Sequence, residues 1–302
     1  MSPFSAARAT ENGDRHPPRP SLIAVAHGSK DPRAAATVNE ILSRVRSRGQ
    51  GRLDVRAAFL DHCAPSLPQV LGSVDVCVVV PLLLTDAYHS KTDIPAQLAG
   101  APARPDVRLA ETLGPHPLLI AALERRLREA GDFPRAGTSV VLAAAGSSDP
   151  AANASVAALA AQWQARGGWK RVLPAYASAA GPRPDEAVRA LRARGGPVLV
   201  ATYLLAPGYF ADKIRDMALA AGAAGVSAVL GDAPEVSDVI MDRYQAAAGA
   251  ELSVPFAACA QLYPERDRGD FPVSNESHSG KSHTGPCPDT RRACRIAHTL
   301  TR

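Results

Sequence analysis

Aromatic residues make up only 5% of the 302-residue sequence, and no cluster of Lys and Arg with interleaved aromatics occurs in it. Single-stranded nucleic acid is held on aromatic platforms flanked by cations, so that class of partner is excluded. Cysteine is scarce as well. Cys63, Cys77, Cys259, Cys287 and Cys294 are scattered and odd in number, with no C-x-x-C pair. That rules out a disulfide framework and makes the reducing cytoplasm the expected compartment. No window holds the roughly 18 consecutive apolar residues that a membrane span needs. Residues 1–20 contain no apolar stretch of signal-peptide length and are rich in Pro, Arg and polar groups, so a disordered extension is expected there. Charge of one sign is not in large excess: 34 Lys and Arg stand against 29 Asp and Glu. So mild a balance suits a small anionic ligand better than a polyanionic surface.

What is present is a repeat. "VAHGSKDPRAAATVNEIL" from Val25 returns as "AAAGSSDPAANASVAALA" from Ala143, which sets His27 against Ala145. "AAFLDHCAPS" from Ala57 is echoed by "PAYASAAGPR" from Pro174, so Asp61 faces Ser178. "VVVPLLLTDAYHSKTDI" from Val78 matches "VLVATYLLAPGYFADKI" from Val198, with His89 opposite Tyr209. "AETLGPHP" from Ala110 matches "AVLGDAPE" from Ala228. Landmarks in the same order at nearly constant spacing mean two copies of one unit.

Each copy has the same texture. "LIAVA", "LDVRAAFL", "VDVCVVVPLLL" and "VRLAETL" read as strands in the first, and the segments after Asp31, Pro65, Lys91 and Pro115 read as helices. Near-continuous apolar strands suit a parallel sheet covered on both faces, and their alternation with helices means right-handed βαβ units. The expected architecture is α/β, with two similar flavodoxin-like lobes of four parallel strands each, over residues 21–131 and 137–250, and the active site in the cleft between them. From residue 263 on, the composition turns polar and rich in Pro, Gly and Ser, and disorder is expected. His278, His283, Cys287, Cys294 and His298 fall in that tail, at spacings that match no zinc pattern.

In an open α/β sheet, ligands sit beyond the carboxyl ends of the strands. The first copy places His27 after its first strand, Asp61 and His62 after its second, and His89 with Lys91 after its third. Ala145, Ser178 and Tyr209 take the matching places in the second copy. One scaffold is armed and its twin is bare, so a need of the fold does not explain the histidines. Imidazole and carboxylate suit a borderline divalent ion, and the same groups serve as proton acceptors near neutrality. "HGSKDP" offers backbone N–H groups to an anion but lacks a Walker A or dinucleotide spacing, so no nucleotide is inferred. Ser29 and Asp31 fit N-caps, and no G-x-S-x-G elbow supports a hydrolase. Cys63 and Cys77 read as buried apolar packing, and Trp163 and Trp169 as core or rim.

Together, "LIAVAHGSKDPRAAATVNEIL", "AFLDHCAPSL", "VVVPLLLTDAYHSKTDIP" and "LGPHPLL" resemble the sirohydrochlorin chelatases of the CbiX type, over about residues 20–250. The resemblance implies a chelatase-like lyase that inserts Fe²⁺, ahead of Co²⁺, into sirohydrochlorin without ATP, for sirohaem or cobalamin. It implies His27 and His89 as metal ligands, with Asp61 where the family usually has Glu. The ion would be a substrate, with no cofactor tightly bound and no nucleic acid or membrane as partner. Lys30, Arg33 and Lys91 are expected to meet the tetrapyrrole carboxylates, along with Lys213 and Arg215, and Tyr209 or Phe210 to stack on the ring. Two other readings stand beside this one: a metal or tetrapyrrole carrier without turnover, and a phosphoryl-transfer or hydrolytic enzyme using His27.

Overall fold

The structure is a computed structural model that describes residues 19–85, 92–101 and 105–249. The first lobe runs β1 (Ser21–Ala26), α1 (Pro32–Arg48), β2 (Val55–Phe59), α2 (Leu67–Leu71), β3 (Val76–Pro81), α3 (Ile94–Ala99), β4 (Asp106–Leu109) and α4 (Pro117–Ala130). A short 3-10 turn at Arg135–Gly137 leads into the second lobe. There follow β5 (Ser139–Ala144), α5 (Pro150–Gly167), β6 (Arg171–Tyr176), α6 (Pro184–Arg192), β7 (Val198–Tyr203), α7 (Tyr209–Ala220), β8 (Gly225–Val226) and α8 (Pro234–Gly249). The sheets are wholly parallel, ordered β2-β1-β3-β4 and β6-β5-β7-β8.

Local chemistry explains the elements. Five consecutive residues of β1, Leu22–Ala26, are buried, as a central strand covered on both faces requires. Helix α1 starts where Asp31 accepts a hydrogen bond from the Arg33 amide at 2.9 Å, with Pro32 in the first turn. Its buried Val38, Ile41, Leu42 and Val45 recur at helical spacing and set the face that meets the sheet.

Two strands are shorter than their apolar runs suggest. β3 stops at Pro81, which has no N–H to continue the ladder; only the Leu82 amide still reaches Val25 O, at 2.7 Å. β4 stops at Leu109 for the same reason: the Ala110 amide still donates to Val79 O at 2.9 Å, but the next rung would need an N–H on Pro81, and the Leu113 amide turns back to Leu83 O at 2.9 Å.

The lobes exchange their last helices. α4 packs on β7 and β8 of the second sheet, while α8 packs on α1, α4, β3 and β4 of the first. One apolar core therefore runs from Leu22, Ile41 and Val78 through Leu119 and Leu123 to Leu142, Trp163, Leu199, Val236 and Ile240. Arg125 pairs with Glu235 at 2.7 Å, and Asp232 receives both Arg44 and Arg126, at 2.6 and 3.1 Å. Trp163 and Trp169 both donate their indole N–H to one carboxylate oxygen of Glu124 on α4, at 2.7 and 2.9 Å. Among the described residues, no helix is long and apolar enough to cross a membrane.

Candidate active site

β1 ends at Ala26 and leaves His27 exposed at its tip. The next residue, Gly28, has φ of +92°, and a Cβ there would lie 1.8 Å from the Asp61 carbonyl oxygen. Only glycine fits, because the turn after β1 is pressed against the turn after β2. The Leu60 amide donates to Ala26 O at 3.0 Å and the Asp61 amide to His27 O at 2.9 Å. The backbones that carry His27 and Asp61 are thus joined. Asp61 Oδ1 accepts the His62 amide at 2.7 Å, and Oδ2 lies 3.3 Å from His62 Nε2. This contact was not legible in the sequence; it arises because His62 takes a left-handed φ of 60°.

The second lobe reproduces this scaffold bond by bond. Gly146 has φ of +85°, and a Cβ there would lie 2.0 Å from Ser178 O. The Ser178 amide donates to Ala145 O at 2.9 Å, and Ala179 takes φ of 58° where His62 takes 60°. Ser147 Oγ accepts the Asp149 amide at 3.0 Å, as Ser29 Oγ accepts that of Asp31 at 3.1 Å. At the strand tips the chemistry differs: a methyl stands for the His27 imidazole, and Ser178 donates its hydroxyl to Ala145 O at 2.9 Å where Asp61 presents a carboxylate.

The carboxyl ends of the two sheets meet. A Cβ built on Gly208, at the start of α7, would come within 3.9 Å of the Asp31 carboxylate. The Tyr203 hydroxyl, from the end of β7, donates to Leu84 O at 3.1 Å, and burial pushes that phenol well above its usual range. Arg33 spans the gap, giving one N–H to Asp31 at 2.6 Å and one to Asp212 at 2.7 Å. Its side-chain hydrogen bond holds the Asp31 carboxyl below the usual carboxylate range.

Of the residues expected in the site, His27 and Asp61 come together through their backbones, and Lys30 stands exposed beside them. His89 and Lys91 lie outside the described residues. Arg33 is at the rim, with its guanidinium already engaged by two carboxylates. Tyr209 is 71% exposed and edge-on to Phe210 at 5.4 Å, with Lys213 Nζ 5.8 Å above its ring. Asp31 caps α1 as expected. Among the described residues no three His, Cys, Asp or Glu side chains form a metal-holding group. One residue, Cys63, differs from expectation. Cys77 is buried, and desolvation pushes its thiol up to about 12, but Cys63 is only half-buried and donates to Ser29 O at 3.3 Å. The tryptophans are core residues whose polar edges are anchored on Glu124.

Two pseudo-equivalent, parallel α/β lobes with one decorated set of strand-end loops define the class of protein. The family model described as CbiX matches residues 21–130 and again 139–247, and the chain belongs to the CbiX family. It is 29% identical over 210 residues to the sirohydrochlorin cobaltochelatase of Priestia megaterium, covering 65% of this chain and 68% of that protein. It is 28% identical over 211 residues to the sirohydrochlorin ferrochelatase of the same organism, covering 65% and 77%. The structure of SirB from Bacillus subtilis with Fe³⁺ superposes with a TM-score of 0.66 at 24% identity, over 76% of this chain and 96% of that one, and so shares its fold.

Proposed function

We propose that the chain inserts a divalent metal into sirohydrochlorin, Fe²⁺ first and Co²⁺ second, at the rim formed by His27 and Asp61. The two Priestia megaterium relatives carry this activity in their names, one with each metal. One observation supports the siting above others: the same loop pair is built twice, and only the N-terminal copy carries an imidazole and a carboxylate at the strand tips. The ion is a substrate in this reading, and no resident cofactor is invoked.

Insertion exchanges two pyrrole protons for one M²⁺, so the site must strip water from the ion and accept protons. His27 and His89 supply nitrogen donors that bind such ions without holding them irreversibly. Asp61 adds an anionic oxygen, and its contact with the His62 imidazole gives a departing proton a second acceptor within 3.3 Å. Lys30, Lys91, Lys213 and Arg215 meet the substrate's carboxylates, and Arg33 joins them by trading Asp212 for the ligand. Tyr209 and Phe210 offer an apolar face for the macrocycle.

The test is insertion followed by absorbance, with each ion, for wild type, His27→Ala, His89→Ala and Asp61→Asn. The expected losses for the histidine variants are at least about a hundredfold. Near-normal turnover in both histidine variants would overturn the siting. A single stoichiometric spectral change with no turnover in wild type would make the protein a carrier.

A further inference from the structure

The loop from His27 to Asp31 and its twin from Ala145 to Asp149 share their backbone course, yet they are pinned differently. In the bare lobe, Asn153 clamps Ser147 from both sides: its Oδ1 accepts the Ser147 amide at 3.0 Å and its Nδ2 donates to Ser147 O at 2.7 Å. The residue at that place on α1 is Ala35, so the armed lobe has no such clamp. There the equivalent carbonyl, Ser29 O, accepts instead from Cys63 Sγ at 3.3 Å, across from the β2 turn. The twin of Cys63 is Ala180. Each lobe therefore fixes the same carbonyl, one with a two-ended amide on its own helix and the other with a single thiol on the neighbouring loop.

We infer that Cys63 is a positioning residue for metal insertion: its thiol, through Ser29 O, ties the turn that presents His27 to the turn that presents Asp61. This rests on the proposed chelatase reading. A thiol is a weak donor and holds one end only, so the armed turn is tethered more softly than the bare one. The tether also runs between the two candidate ligand loops, whereas Asn153 runs from helix to loop within one βα unit. Its effect thus falls on the spacing of His27 from Asp61, and so on capture of the ion more than on binding of the ring.

Full-length wild type, Cys63→Ala, Cys63→Ser and Cys63→Ala with Ala35→Asn decide the matter by two readouts. The first is hydrogen exchange at the Asp31 and Asp61 amides, which needs no substrate. The second is steady-state insertion, with the ion and the tetrapyrrole varied separately. Cys63→Ala is expected to speed exchange at both amides and to lower kcat/KM for the ion by up to about tenfold, the scale of one lost hydrogen bond, with KM for the tetrapyrrole unchanged. Cys63→Ser keeps a donor and is expected to fall between wild type and Cys63→Ala. Adding Ala35→Asn transplants the other lobe's clamp and is expected to restore both exchange and kcat/KM. Unchanged exchange in Cys63→Ala, faster exchange with unchanged kcat/KM for the ion, or failure of Ala35→Asn to restore either readout would each overturn the assignment. If wild type inserts no metal, the chelatase reading fails on that result alone, and exchange still shows whether the tether exists.

Discussion

At position 28 a side chain has no room, and at position 146 the same is true for the same reason. An alanine at either site must take a left-handed φ and displace a carbonyl, which costs on the order of 2–4 kcal/mol. Gly28→Ala and Gly146→Ala are therefore expected to lower the urea midpoint by similar amounts. Their activities part company: per folded molecule, insertion is expected to collapse in Gly28→Ala, where the turn carries His27, and to survive in Gly146→Ala. Equal activities would show that the N-terminal turn has no special part. His27 and Asp61 were legible in the sequence because a residue after an apolar strand and before a capped helix must lie at the sheet's carboxyl edge. The role of Cys63 was not, because its partner is 34 residues away and the pattern of a strand says nothing about what its following turn touches.

Among the elements, α4 shows what periodicity can and cannot tell. The run "PLLIAALERRLREA" announces a helix with one apolar face, and Leu119, Ala122, Leu123 and Leu127 are that face. Which sheet it covers is set by topology, and α4 leaves its own lobe to lie on β7 and β8. Glu124 then serves as the anchor, taking two indole N–H groups and an ion pair with Arg135 at 2.6 Å. Replacing it strands two buried donors. Glu124→Ala is expected to cost about 2–4 kcal/mol in chemical denaturation, and Glu124→Gln, which keeps one acceptor oxygen, distinctly less. A loss below about 1 kcal/mol in Glu124→Ala would mean that water replaces the carboxylate freely.

Across the whole molecule, the joint between lobes is also its acid-sensitive part. His116 caps α4, accepting the Leu118 amide on Nδ1 at 3.2 Å, and lies 3.7 Å from Asp242. Burial and the nearby Arg243 hold its pKa below the usual 6.5, so the folded state prefers the neutral ring. Stability from this group is complete above about pH 6.5 and is lost as the pH falls toward the folded value. The Arg44 and Arg125 hydrogen bonds hold Asp232 and Glu235 below their usual 3.8 and 4.5, so their contribution is lost at still lower pH. The urea midpoint should thus decline in two stages on acidification. His116→Asn, which keeps an N-cap acceptor that does not titrate, is expected to remove the upper stage only. An unchanged profile would exclude His116 as its source. The two-lobe plan was readable from the repeat, yet the exchange of helices was not, because self-similarity reports what each half contains and not which half it covers.

That exchange also dictates the order in which the protein can be made. The helix that shields β3 and β4 on one face is the last of the second lobe, so while a ribosome extrudes the chain that part of the earlier sheet stays uncovered until the second lobe has emerged. The first half therefore cannot complete the core it shares with the second until that last helix arrives.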